Sequence, residues 1–67
     1  MIFVILHSIM VENHIVSGLF HNAYNNSTQA QSEFDSLILT PDCPRKELWG
    51  IDWSGTRQMI MEKRFNE

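Results

Sequence analysis

Apolar side chains run almost without interruption through the first eleven residues and fall into periodic patterns only afterwards. Residues 2–11 (Ile-Phe-Val-Ile-Leu-His-Ser-Ile-Met-Val) are rich in β-branched and aromatic types, which suit a pleated strand. Glu12-Asn13, with His14 beside them, supplies a turn, because Asn tolerates the positive φ of tight hairpins. Ile15 to Phe20 then reads as the returning strand, and Gly18 within it marks a bulge or a close backbone approach. One long helix over residues 2–20 is the competing reading. The density of Ile and Val and the Ser17-Gly18 pair oppose it.

Asn22 to Thr28 is polar and rich in Asn, and reads as a loop. Thr28 with Gln31 fits a capping box, and Asn26 or Ser27 offers another cap. Ala30, Phe34, Leu37 and Ile38 then fall at i, i+4, i+7 and i+8, one face of a helix whose polar side holds Gln29, Gln31, Ser32, Glu33 and Asp35. Pro41 and Pro44 end it near Leu39.

Trp49 to Trp53 alternates large apolar with small or polar residues, Ser54-Gly55 supplies a two-residue turn, and Thr56 to Lys63 returns as a strand. That register sets Asp52 opposite Arg57, a favourable pair, but also Glu47 opposite Glu62 and Lys46 opposite Lys63. It puts Met59 and Met61 on one face as core filler. A helix from Gly55 onward is the rival, although Met59, Ile60 and Met61 are consecutive and lack helical spacing. The expected fold is a single α+β domain over residues 1–67. It has a small antiparallel sheet in ββαββ or ββαβ order, with the helix packed on one sheet face.

That fold leaves a mismatch. An antiparallel sheet solvated on one side alternates apolar and polar residues. In the first strand, Phe3, Ile5, Ile9 and Val11 lie on one side, and Ile2, Val4, Leu6 and Met10 on the other. One helix covers one face. The second face is covered either by the C-terminal segment with Trp49, Trp53 and Phe65 folding back, or by a second copy or target protein meeting Val4, Leu6 and Met10.

Size sharpens the question, since a chain of 67 residues has a thin stability margin and often needs a staple or a partner. Cys43 is the only cysteine, so an intrachain disulfide and a Cys-rich zinc site are both excluded. Residues 1–44 hold four acids and no Lys or Arg, while residues 45–67 carry a net of +1, giving −3 in all. Arg45, Lys46, Arg57, Lys63 and Arg64 make a short basic segment rather than the broad stripe of most nucleic-acid binders. The charge balance favours a protein target, with a small nucleic-acid-binding regulator as the alternative. Met1 to Leu6 lacks a basic flank and is far short of the roughly 20 apolar residues of a membrane span, so a cytoplasmic protein with no membrane partner is expected.

Candidate chemistry is sparse. His7, His14 and His21 recur at intervals of seven, but that spacing reverses a strand face, leaving His7 and His21 as neighbours and no third metal ligand. Cys43 has Arg45 and Lys46 nearby but no His–Asn or His–Asp pattern to orient a base. Glu47, Asp52 and Glu62 read as surface charge, and Gly18, Gly50 and Gly55 are too scattered for a phosphate loop. Neither enzyme nor cofactor is expected, and no metal. Trp49 and Trp53, near Arg45 and Arg57, serve as core residues, as anchors at a protein interface, or as base-stacking platforms.

In element order, size and acidity the chain resembles many short bacterial and phage proteins, including phage-encoded inhibitors of host defence of the anti-CRISPR type. The resemblance carries no diagnostic motif and transfers no functional residue. It implies a stand-alone inhibitor or regulator that occupies a surface of its target, in the host cytoplasm if phage-encoded. The binding residues expected are Trp49, Trp53, Arg45 and Arg57, with the acidic helix residues Glu33 and Asp35. Val4, Leu6 and Met10 are expected to form a homodimer contact.

Overall fold

A computed structural model describes all 67 residues. Five elements follow in order: β1 (Ile2–Val11), β2 (His14–Tyr24), α1 (Ser27–Ser36), β3 (Arg45–Ile51) and β4 (Arg57–Arg64). The strands form one antiparallel sheet in the order β2-β1-β3-β4. The most apolar strand is therefore central, and the chain is ββαββ as expected. Helix over residues 2–20 is excluded.

Glu12 and Asn13 adopt φ of 50° and 68°, so the first hairpin closes on two left-handed residues, the twist that suits paired strands. β2 runs further than the apolar pattern suggests, because ladder bonds to β1 carry the strand through Asn22 to Tyr24 despite their polarity. Two bulges bend it. His21 is extra between the Ile5–Asn22 and Leu6–Phe20 pairs. Ser17 and Gly18 together oppose Ser8, with Gly18 at φ +72°.

Asn26 caps α1, its side-chain oxygen accepting from the Gln29 N–H at 3.0 Å. The helix stops at Ser36, three residues before the expected Leu39. Leu37 is already extended, with its N–H donating to the carbonyls of Glu33 and Phe34. Ile38 consequently leaves the apolar face and is 78% exposed. The α1 residues Ala30 and Phe34 pack on Ile5 of β1 and Leu48 of β3, and these four make the whole buried apolar core. Phe3, Tyr24, Leu37 and Met61 line its margin.

Lys46 is the unusual member of the covered face. It is 4% exposed, its ammonium lies 4.4 Å from the centre of the Phe34 ring, and it donates to the carbonyl oxygens of Phe34 and Leu37. A cation at a helix C-terminus meets the negative end of the helix dipole, so Lys46 pins α1 to β3. Burial first, and the charge of Lys63 second, hold its pKa below 10.5.

The second hairpin departs from its expected register. Lys46–Lys63, Glu47–Glu62 and Leu48–Met61 pair as anticipated, but Ile60 is extra, so Trp49 faces Met59 and Ile51 faces Arg57. Asp52 therefore does not oppose Arg57. It organises the turn instead, its carboxylate accepting from the Ser54 N–H, the Ser54 hydroxyl and the Thr56 N–H at 2.9, 2.6 and 3.0 Å. The bulge also separates the two methionines, sending Met61 to the core and Met59 to the opposite face.

A candidate interaction surface on the open sheet face

The C-terminal segment adds two strands in the plane of the sheet instead of folding back over it, so the face opposite α1 carries no second layer. Strand pairing shows what lies there. Ile2 opposes Ile51, Val4 opposes Trp49, and Leu6 opposes Glu47, all on the side away from Ile5 and Leu48. From β2 come Ala23 opposite Val4, Phe20 opposite Leu6, and Ile15 opposite Met10. From β4 come Met59 and Arg57. Phe20 and Ile15 are 61% and 58% exposed, figures typical of polar residues.

Val4, Leu6, Trp49, Ile51 and Arg57 line an apolar groove of ≈ 220 Å³ on this face. Pockets for small molecules usually span about 300–1,000 Å³ and enclose their ligand. A smaller apolar groove suits a side chain of another protein better than a whole small molecule.

One end of the face is polar and internally neutralised. The Arg45 guanidinium donates to the Glu62 and Glu47 carboxylates at 2.7 and 3.3 Å, and Arg64 donates to Glu62 at 2.8 Å. This arrangement resolves the unfavourable Glu47–Glu62 pairing, since two flanking guanidinium groups hold both carboxylates. Burial pushes the Glu62 carboxyl up, but the hydrogen bonds and charges of Arg45 and Arg64 outweigh it and leave the pKa below 4.5. Behind this cluster the Ser8 hydroxyl, 1% exposed, donates to Ser17 Oγ at 3.3 Å.

Val4, Leu6 and Met10 share this face with Trp49 and Arg57, so the patch expected for self-association and the patch expected for a target are one surface. Arg45 sits at its polar end. Trp53 is elsewhere, 84% exposed on the β3–β4 turn, and Glu33 and Asp35 project from the outer side of α1. Sequence reading placed Ile2 on this side with Val4, Leu6 and Met10, but missed Phe20, Ile51 and Met59. The Trp49-x-Ile51 alternation offered a signal for Ile51, whereas the bulges at His21 and Ile60 concealed the parity of Phe20 and Met59.

The five cations do not form one footprint. Arg45, Arg57 and Arg64 lie on the open face, Lys46 and Lys63 on the other, and Arg45 and Arg64 are already paired with acids. His7 and His21 meet with ring centroids 5.5 Å apart, as their spacing suggested, and no group of three His, Cys, Asp or Glu side chains is placed to hold a metal ion. Cys43 is a free thiol, half-buried in the tight Thr40–Cys43 turn. No helix is long and apolar enough to cross a membrane. Comparison of the chain with protein-family models, curated proteins and solved structures gives no match.

Proposed function

We propose that the chain is a non-enzymatic protein-binding module, an inhibitor or regulator that acts by occupying a surface of a macromolecular target. The observation that carries this reading is the uncovered sheet face, with an apolar centre at Val4, Leu6, Trp49 and Ile51 and a polar cluster at one end. Exposed contiguous apolar patches of more than a few hundred Å² on soluble proteins generally mark sites of association. Trp and Arg, both present at the groove, are the residue types most enriched among interface anchors.

The test compares three immobilised baits in extract of the source cells: the native chain, Trp49→Ala on the open face, and Ile38→Lys on the opposite side. A protein retained by the native chain and by Ile38→Lys, and lost from Trp49→Ala, supports the reading. Equal retention by all three baits, or none by any, counts against it.

A further inference from the structure

We infer that the open sheet face is closed by a second copy of this chain, stacked face to face about a two-fold axis. The inference rests on the face being a protein-binding surface, and names its occupant.

Three observations select a second copy. The first is the size of the core. Only Ile5, Ala30, Phe34 and Leu48 are buried apolar residues, while Ile2, Met10, Ile15, Phe20 and Met59 are substantially exposed on the open face. Domains below roughly 70–80 residues rarely draw more than about 3–5 kcal/mol from such a core, so covering this face adds stability that the single chain lacks. A second copy is the one partner always present at matching concentration.

The second is charge. A surface that meets itself brings like against like, so it must carry little net charge. The chain as a whole is at −3. Yet the face holds Arg45, Arg64, Glu47 and Glu62 in one closed ion-pair cluster, and its single unpaired charge, Arg57, is exposed on the edge strand β4, where the guanidinium reaches the rim of the interface. The surplus acids, Glu12, Glu33, Asp35 and Asp42, belong to the first hairpin turn, the helix and the loop before β3. A target chosen by electrostatics would be met by those residues, not by this face.

The third is area. Four strands about 4.8 Å apart and about seven residues long, with the protruding hairpin tip, present roughly 550 Å² in projection. Two such faces hide about 1,100 Å², and accessible area exceeds projection, which reaches the ~1,200 Å² at which specific interfaces begin. Stacked sheets lie about 10 Å apart with side chains interdigitating, the geometry of a sandwich core. Closing it would bury Val4, Leu6, Met10, Phe20, Trp49 and Met59, and a target that takes this face does so by displacing the second copy.

Sedimentation equilibrium of the native chain should give twice the 7.8 kDa chain mass at micromolar concentration. Val4→Lys places two unpaired charges in the closed core and should weaken the dimer by at least about 100-fold, whereas Ile38→Lys should leave it intact. In a Trp53→Phe background, diluting the dimer should shift Trp49 emission to the red. If Val4→Lys does not fold, the urea midpoint of the native chain decides. It should rise with chain concentration for a dimer. A native monomer with a concentration-independent midpoint overturns the inference, as does a dimer that survives Val4→Lys unchanged. A monomeric result leaves the protein-binding reading standing, to be judged by the three-bait comparison.

Discussion

Replacing Phe34 with Ala should remove most of the folded population. The ring is 1% exposed, is the largest of the four core side chains, and is the one through which α1 grips both β1 and β3. Truncating a buried Phe to Ala costs about 3–5 kcal/mol through lost transfer energy and the residual cavity. Here the loss also strips Lys46 of the ring 4.4 Å from its ammonium, a contact worth about 0.5–2 kcal/mol at a desolvated site. Set against a margin of about 3–5 kcal/mol for a core of this size, the variant should be largely unfolded. Phe34→Leu keeps an apolar side chain in the space and should cost about 1–2 kcal/mol. Ile38→Ala, eight-tenths exposed beyond the helix end, should stay within about 0.5 kcal/mol. The assay is urea unfolding followed by far-ultraviolet circular dichroism at one fixed chain concentration. If Phe34→Ala retains a cooperative transition within about 1 kcal/mol of the native protein, the helix does not anchor the sheet in the way described.

Three further outcomes are expected. Asn26→Ala leaves the Gln29 N–H without its cap and should lower stability by about 1 kcal/mol in the same titration, while a neutral result would remove the cap from the account. Lys63→Gln relieves the repulsion on Lys46 and should stabilise by a few tenths to about 1 kcal/mol at low salt, a gain that fades at high ionic strength; a loss of stability would contradict the pairing. The pH dependence follows from three groups. Hydrogen bonds from the Ser54 hydroxyl and the Thr56 N–H hold the Asp52 carboxyl below 3.8, and Glu62 is held below 4.5 by Arg45 and Arg64 against the opposing effect of burial. Both carboxyls therefore contribute stability that is complete above those values and lost as pH falls through the lower folded-state values. Lys46 runs the other way in charge: its folded pKa lies below 10.5, so the unfolded chain binds the proton more tightly, and this group adds stability as pH rises through that window. A urea midpoint that climbs on acidification below about pH 4 would contradict the acid limb.

Much of this protein could be read from residue order alone, because local chemistry decides local structure. Asn13 licenses the tight hairpin and the 30–34–37 spacing the covered face, whereas the structure picks Asn26 as the helix cap over the Thr28–Gln31 capping box and Ser27. The continuous apolar run of β1 marks a strand with apolar side chains on both faces. The places where expectation and structure part have long-range causes. Ile38 has helical spacing, but Leu37 turns extended and takes it out of register. Asn22 is polar, yet a ladder partner in β1 makes it strand. Above all, the extra residues His21 and Ile60 sit in bulges that change side-chain parity. No residue type announces these bulges, because they arise only when two strands are matched against each other.

For the candidate surface the division is the same. The excess of apolar residues at Val4, Leu6 and Met10 is a property of the sequence, since period-two alternation puts them on one side of any strand. That Trp49, Ile51, Met59 and Arg57 join them depended on the strand order β2-β1-β3-β4 and on the register of β3 against β1. Tertiary pairing also resolved the Glu47–Glu62 clash, by setting Arg45 and Arg64 around it, and gave Lys46 the carbonyls at the end of α1 while Lys63 still repels it. Composition and periodicity act within a strand or a turn of helix, and so are legible along the chain. Which faces coincide, and what each buried charge meets, is decided only when distant segments come together.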